Sequence, residues 1–304
     1  MSYSVNNRGN FNLIIQLRNF NDERGGIVRQ ETHIISVGDR VTAGLYSLHS
    51  RFERVVNFKS NTSIVSFVTE EVGAGPNNIV YRGAASGLKR APTAVLTEDK
   101  FILIGGDCFS TAGIPRFNST LELNSGTCGS AGDLAILESF LVAHAQEKSL
   151  CFLLDPRREV QFRSGFELGV VRAFKNAKLQ IGSGELCSAI RGVQGLGWGL
   201  TPSGDDFVTG LLIGARIYHL PVLSEIIGAI DFERLAPLSA LFLRNAAEGR
   251  VCGRWKNLLQ ELAGGNSCKI MRAAERVLQV GASSGADTLV GFIIAARLLR
   301  GREG

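Results

Sequence analysis

Residues Gly195 to Ala215 read GLGWGLTPSGDDFVTGLLIGA, and this stretch decides what the second half of the chain becomes. Its leading glycines permit backbone conformations closed to other residues and let a ligand approach the main chain. Ser203 with Asp206 three positions on has the form of a capping box, so a helix is expected to begin there. Such a start offers free N–H groups and the positive end of a helix dipole, here beside two adjacent carboxylates, Asp205 and Asp206. That mixture suits a site better than a plain connection.

The phrase returns near the C-terminus. Ser203-Gly-Asp-Asp206-Phe-Val-Thr-Gly210 and Ser284-Gly-Ala-Asp287-Thr-Leu-Val-Gly291 share S-G-x-D-x-x-x-G, and each runs on into an apolar segment ending in small residues. Two readings compete. In one, these are two capped helices that pack closely through glycine. In the other, the two starts converge, and their N–H groups with Thr201, Ser203 and Ser284 hold an anion such as phosphate or carboxylate. Asp205, Asp206 and Asp287 would then either coordinate Mg²⁺ beside that anion or accept hydrogen bonds from an amide or carbamoyl nitrogen. The glycine run is no P-loop, since no Lys follows it, and no dinucleotide fingerprint, since the helix opens with Pro-Ser-Gly-Asp-Asp.

Around this pair the chain divides into two kinds of sequence. Residues 11 to about 125 carry short β-branched or aromatic runs separated by Gly, Asn, Ser and Pro: FNLIIQL, RVVNF, SIVSFV, NIVY, FILIGG and RFNSTLELN. Val55–Phe58 and Ile64–Val68 form an expected hairpin, and EEVGAGPNN an expected sharp turn before Ile79–Tyr81. After Asn124 helical spacing takes over, beginning with a second box at Ser130 and Asp133. Helices are expected over Arg157–Asn176, Asp205–His219, Pro237–Glu248, Arg254–Ala263, Lys269–Val280 and Gly285–Arg300. The expected architecture is therefore α+β: a β-rich part over 1–126, as an antiparallel sheet or small barrel, packed on a helical part over 127–304.

Composition sets the class. The chain has 304 residues, is 45% hydrophobic and carries a net charge of +5 from scattered Lys and Arg, which gives little ground for a nucleic-acid partner. No apolar run is long enough for a membrane span, and the polar N-terminus resembles no signal peptide, so a cytoplasmic protein is expected. The cysteines, at 108, 128, 151, 187, 252 and 268, form no C-x-x-C pair and read as reduced thiols. The histidines, at 33, 49, 144 and 219, show no metal-ligand spacing. Within Leu241–Gly249, Arg244, Asn245 and Glu248 fall near one helical face; Arg244 is a candidate clamp for carboxylate or phosphate.

Three phrases carry a resemblance. Gly199–Asp206 (GLTPSGDD), Leu241–Gly249 (LFLRNAAEG) and Ser283–Phe292 (SSGADTLVGF), in this order, resemble the AllH-type subunit of oxamate carbamoyltransferase. The likeness covers 195 to about 300, with a fainter echo over 54–82 in V-G-A-G-P-x-x-I-V. It implies a subunit of an enzyme that exchanges a carbamoyl group between oxalurate and phosphate, giving oxamate and carbamoyl phosphate, in allantoin or purine breakdown. It further implies partner subunits and a small anionic substrate. The catalytic candidates are Asp205, Asp206 and Asp287; the substrate-binding candidates are Gly199, Thr201, Ser203, Gly204, Ser284, Gly285 and Arg244. Ala282 departs from the family, which often has His there. The alternatives are a non-catalytic assembly or ligand-binding subunit and a Mg²⁺-dependent phosphate-ester enzyme.

Overall fold

The computed structural model describes residues 32–83, 88, 90–98, 100–104, 108–122 and 129–299. The strand expected over 11–17, the end of the FILIGG run at 105–106, Cys128, Arg300 and the boundary near 127 lie outside the described residues.

The sheet grows from the expected hairpin. β3 (Val55–Lys59) and β4 (Ile64–Thr69) pair antiparallel, Val55 opposite Val68. Their residues are buried on both faces, so the two inward polar side chains must satisfy each other: Ser66 Oγ donates to Asn57 Oδ1 at 2.7 Å and Asn57 Nδ2 to Ser50 Oγ at 2.9 Å. Phe58 and Phe67 meet edge to face, ring centroids 5.6 Å apart, at the centre of the sheet's core.

Seven further strands extend the hairpin: β1 (His33–Gly38), β2 (Gly44–Arg51), β5 (Asn78–Arg82), β6 (Thr93–Leu96), β7 (Lys100–Ile104), β8 (Cys108–Ser110) and β9 (Arg116–Phe117). Their order is β8-β7-β6-β2-β3-β4-β5-β1-β9, and the sheet curls until β8 nears β1. The β-rich half is thus as expected, with one correction to its pairing. The sheet is mixed, because β4–β5 and β1–β9 run parallel. The turn expected at EEVGAGPNN is instead a return loop. It carries the chain back so that Asn78 lies beside Ser66, a span that eight residues bridge readily at about 3.3 Å each.

In the second half, α1 (Ala131–His144) starts at the expected Ser130–Asp133 capping box. The helix expected over 157–176 divides. Pro156–Gln161 is a 3-10 turn, and α2 (Gly165–Ser183) begins at a second box formed by Ser164 and Glu167. Glu167 also accepts from the Arg163 N–H at 2.8 Å, which ends the preceding turn. Phe162 therefore lies before the helix, and Phe166 is exposed while Val170 and Phe174 are buried. Then come α3 (Leu186–Val193), α4 (Ser203–Ile217), α5 (Leu223–Ala229), α6 (Pro237–Ala247), α7 (Gly253–Gly264), α8 (Ser267–Leu278) and α9 (Ser284–Ile294). A π-helical turn, Ala295–Leu299, ends the described chain. Both α4 and α9 are buried along almost their whole length, as helices apolar on every side must be. They pack on each other and form the axis of the helical part.

The two parts meet at the C-terminal end of α6 and the start of α7. Arg250 Nη1 donates to Asp39 Oδ2 at 2.8 Å, and Asp39 also accepts from the Ser119 hydroxyl at 2.7 Å and its N–H at 3.0 Å. Asn245 Nδ2 donates to Asn77 Oδ1 at 3.0 Å, Arg40 pairs with Glu248, and Arg254 holds the carbonyls of Glu71 and Val72. The VGAGPNN loop and the LRNAAEG phrase are thus two sides of one junction. Burial alone would push the Asp39 carboxyl up, but Ser119 and Arg250 together hold it below its usual range. Arg250→Ala is expected to lower stability by about 1–2 kcal/mol in urea unfolding at neutral pH. Because the Asp39 carboxyl is held low, that loss should shrink as the pH falls through the carboxylate range.

Candidate functional site

The two S-G-x-D phrases come together, and they do so as equivalent halves. Gly204 donates its N–H to Leu196 O at 2.8 Å; Gly285, at the same place in the second phrase, donates to Val280 O at 3.0 Å. A Cβ on Gly204 would lie 1.7 Å from Val193 O, and one on Gly285 2.0 Å from Val277 O. One turn on, the helices press into each other reciprocally. A Cβ on Gly210 would lie 1.9 Å from Thr288 O, and one on Gly291 2.1 Å from Phe207 O. Phe207 and Thr288 again hold equivalent places. So α3–α4 and α8–α9 form a duplicated unit in which α4 and α9 run parallel and bring their N-terminal ends together.

At that shared end the Thr201 hydroxyl donates to Asp206 Oδ2 at 3.1 Å and lies 3.0 Å from Ser284 Oγ. Asp287 accepts at Oδ1 from the Leu150 N–H, 2.7 Å away, and at Oδ2 from Ser283 Oγ, 2.9 Å away. The serines of the two phrases act crosswise: the Ser203 hydroxyl on Asp287, and the Ser284 hydroxyl on Asp206. This corrects the capping reading. Pro202 and Ser283 stand at the N-cap positions, Ser203 and Ser284 lie inside the first turn, and no side chain caps either helix. Each serine is turned toward the opposite helix's carboxylate instead of its own backbone.

Both carboxylates are buried, Asp206 at 5% and Asp287 at 0% exposure. Removal from water pushes Asp287 up to about 6, against the Leu150 N–H and the Ser203 and Ser283 hydroxyls that favour its charge. Asp206 is raised well above the usual carboxylate range, first by burial and then by the neighbouring Asp287 charge. Above this pair Thr201 and Ser284 are half-buried and reach a surface edged by exposed Gly199, Leu200, Gly281 and Ala282. Trp198, in the glycine loop before Thr201, packs with its ring centroid 6.1 Å from Phe162 and 5.9 Å from Phe166.

The remaining sequence candidates are engaged in other contacts. Asp205 is buried and raised by burial, but its Oδ1 accepts from the Gly195 N–H at 2.8 Å, so it fixes the glycine loop. Gly204 and Gly285 have their N–H groups engaged by carbonyls, and the Asp205 and Asp206 N–H groups both meet Pro202 O. The expected nest of free helix-start donors is therefore largely filled by the protein itself. The Arg244 guanidinium sits 4.4 Å from the Phe232 ring centroid, and its contact is with that ring. Among the described residues, no group of three or more His, Cys, Asp or Glu side chains is placed to hold a metal ion.

Two contributors went unseen in the sequence. Ser283 lay next to the serine that fitted the pattern, and only the helix's true start gives it its role. Leu150 acts through its main chain, for which no side-chain motif exists. Cavities open elsewhere: one of about 250 Å³ in the curl of the sheet beside Thr42, Leu96 and Arg116, another of about 520 Å³ beside Arg157 and Arg158.

Residues 193–296 match the family model of the oxamate carbamoyltransferase subunit AllH. The match begins at the end of α3 and ends just beyond α9, so it contains the whole acid pair and both phrases. No solved structure matches the chain. No described helix is long and apolar enough to cross a membrane.

Proposed function

We propose that this chain is a subunit of an enzyme that moves a carbamoyl group between oxalurate and phosphate, with the Asp206–Asp287 pair and its Thr201–Ser284 rim as its reacting end. The supporting observation is that the family match spans a place where two buried carboxylates and two half-buried hydroxyls converge. The chemistry suits that arrangement. A phosphate oxygen attacks the carbamoyl carbon of oxalurate, the C–N bond breaks, and the leaving oxamate nitrogen takes up the proton that phosphate gives away. Hydroxyls that both donate and accept suit the oxygen and nitrogen of the reacting amide, and a buried acid suits the proton's passage.

Thermal unfolding of wild type and Asp206→Ala with carbamoyl phosphate, oxamate and oxalurate tests this, with and without Mg²⁺ and with partner subunits present. The expected result is a rise in melting temperature for wild type that Asp206→Ala removes. No rise with any of the three compounds overturns the proposal, and a rise abolished by EDTA moves it to metal-assisted chemistry. A second reading, a non-catalytic assembly subunit, draws support from the filled helix-start N–H groups and the exposed Phe166 and Leu200 beside Trp198. It predicts no ligand shift and weakened subunit association in Trp198→Ala.

A further inference from the structure

Two carboxylates buried together at the end of two parallel helices raise the question of how many protons they hold. The dipoles of α4 and α9 both point their positive ends at the pair, which favours one negative charge there. A second charge in the same buried space is opposed by the first. The donors decide which carboxylate stays ionised. Asp287 accepts from the Leu150 main-chain N–H at 2.7 Å, and an N–H can donate but never accept, so this bond favours the charged form of Asp287. Among the described residues Asp206 is met by hydroxyls, those of Thr201 and Ser284, and a hydroxyl accepts from a carboxylic acid as readily as it donates to a carboxylate.

The geometry points to a single proton shared by the pair, resident on Asp206 and connected to the surface through the hydroxyls of Thr201 and Ser284. Asp206 donates to Thr201 Oγ, and Thr201 donates to Ser284 Oγ, 3.0 Å away. Ser284 is half-buried and ends the chain at the rim. When a group at the rim takes the Ser284 proton, Ser284 takes that of Thr201 and Thr201 that of Asp206. Asp206 is left as a carboxylate, now accepting from Thr201. Uptake runs the same path backwards. The other titratable groups around the pair do not compete for this path. Asp205 is bonded to the Gly195 N–H, and the Cys151 thiol on the Leu150 side is pushed up to about 11 by burial. Glu138 and Arg158 act on that thiol from farther out.

The inference deepens the proposed carbamoyl chemistry by giving Asp206 the proton that the leaving nitrogen needs, and it rests on that reading only for its purpose. The proton itself is measured without substrate. Infrared spectra of the full chain at neutral pH should show the carbonyl stretch of a protonated carboxylic acid, shifted in D₂O. The band should vanish in Asp206→Asn and persist in Asp205→Asn; in Asp287→Asn, where the neighbouring charge that opposes ionisation is gone, it should disappear at a lower pH than in wild type. Thr201→Val should move the band and slow its exchange on mixing with D₂O, while Thr201→Ser restores both. A wild-type spectrum without the band, or a band untouched by Asp206→Asn, overturns the inference. So does exchange unchanged when Thr201→Val is combined with Ser284→Ala, since the Ser284 hydroxyl also meets Asp206 directly. A band present in a protein that binds no carbamoyl compound leaves the proton in place and removes the proposed reaction instead.

Discussion

Wild-type stability is expected to fall between pH 4 and pH 8 by on the order of 2 kcal/mol more than that of Asp287→Asn, measured by urea unfolding at each pH. The sign follows from the direction of the shift. Asp287 stands at about 6 in the folded chain against 3.8 as an unperturbed carboxyl, so the folded state binds the proton more tightly. Its contribution is fully present below the unfolded value and is lost as pH rises through the folded one. A shift of this size corresponds to about 3 kcal/mol at about 1.4 kcal/mol per unit, of which the chosen window captures most. Asp287 is wholly buried, so solvent screening removes little of it. Asn keeps the shape and an oxygen for the Leu150 N–H, while its amide can donate to Ser283 Oγ; only the charge is removed. Asp39 pulls the other way, because its carboxyl is held low and it stabilises as pH rises. Comparing variant with wild type cancels that term. Parallel pH profiles for the two proteins would sink the claim that a buried charge at Asp287 opposes folding at neutral pH.

This cost bears on function. A chain that only needed two close-packed helices would place apolar residues at 206 and 287 and be more stable for it. The pair also explains what the sequence showed and what it hid. The S-G-x-D repeat was legible because its glycines and carboxylates hold fixed spacings, and those spacings marked two equivalent helix starts. Each phrase on its own also fits a capping box, and only the packing of α4 against α9 shows the serines serving the opposite strand of the repeat. The β-rich half was legible through its apolar runs. Its parallel pairing was not, since the continuous apolar runs of Ile64–Thr69 and Asn78–Arg82 say that both faces are buried and nothing about direction. The contact that Arg244 makes was hidden for a related reason. A charged residue on a helix face carries no information about which neighbour lies opposite, and here that neighbour is Phe232.

Gly210→Ala is expected to destabilise the chain by about 3 kcal/mol or more, while Gly169→Ala stabilises it by up to about 1 kcal/mol, both read from urea unfolding. The substitution is the same and both positions are helical, so propensity alone predicts the same gain. The surroundings reverse one of them. A Cβ at 169 meets nothing within 4 Å, whereas at 210 it would lie 1.9 Å from Thr288 O and 2.7 Å from the Phe292 nitrogen. Those are main-chain atoms of α9, which cannot swing aside as a side-chain tip does, so the two helices must separate along their length. Gly291→Ala drives the same separation from the other side, through Phe207 O at 2.1 Å. The double variant should therefore cost less than the two single losses added together, because the first substitution already opens the gap that the second needs. Separating α4 from α9 also draws Thr201 away from Ser284, so Gly210→Ala should weaken any ligand-induced rise in melting temperature even though residue 210 is a full helical turn beyond Asp206. Additive losses, or a neutral Gly210→Ala, would mean that the glycines are not what sets the distance between the two carboxylates.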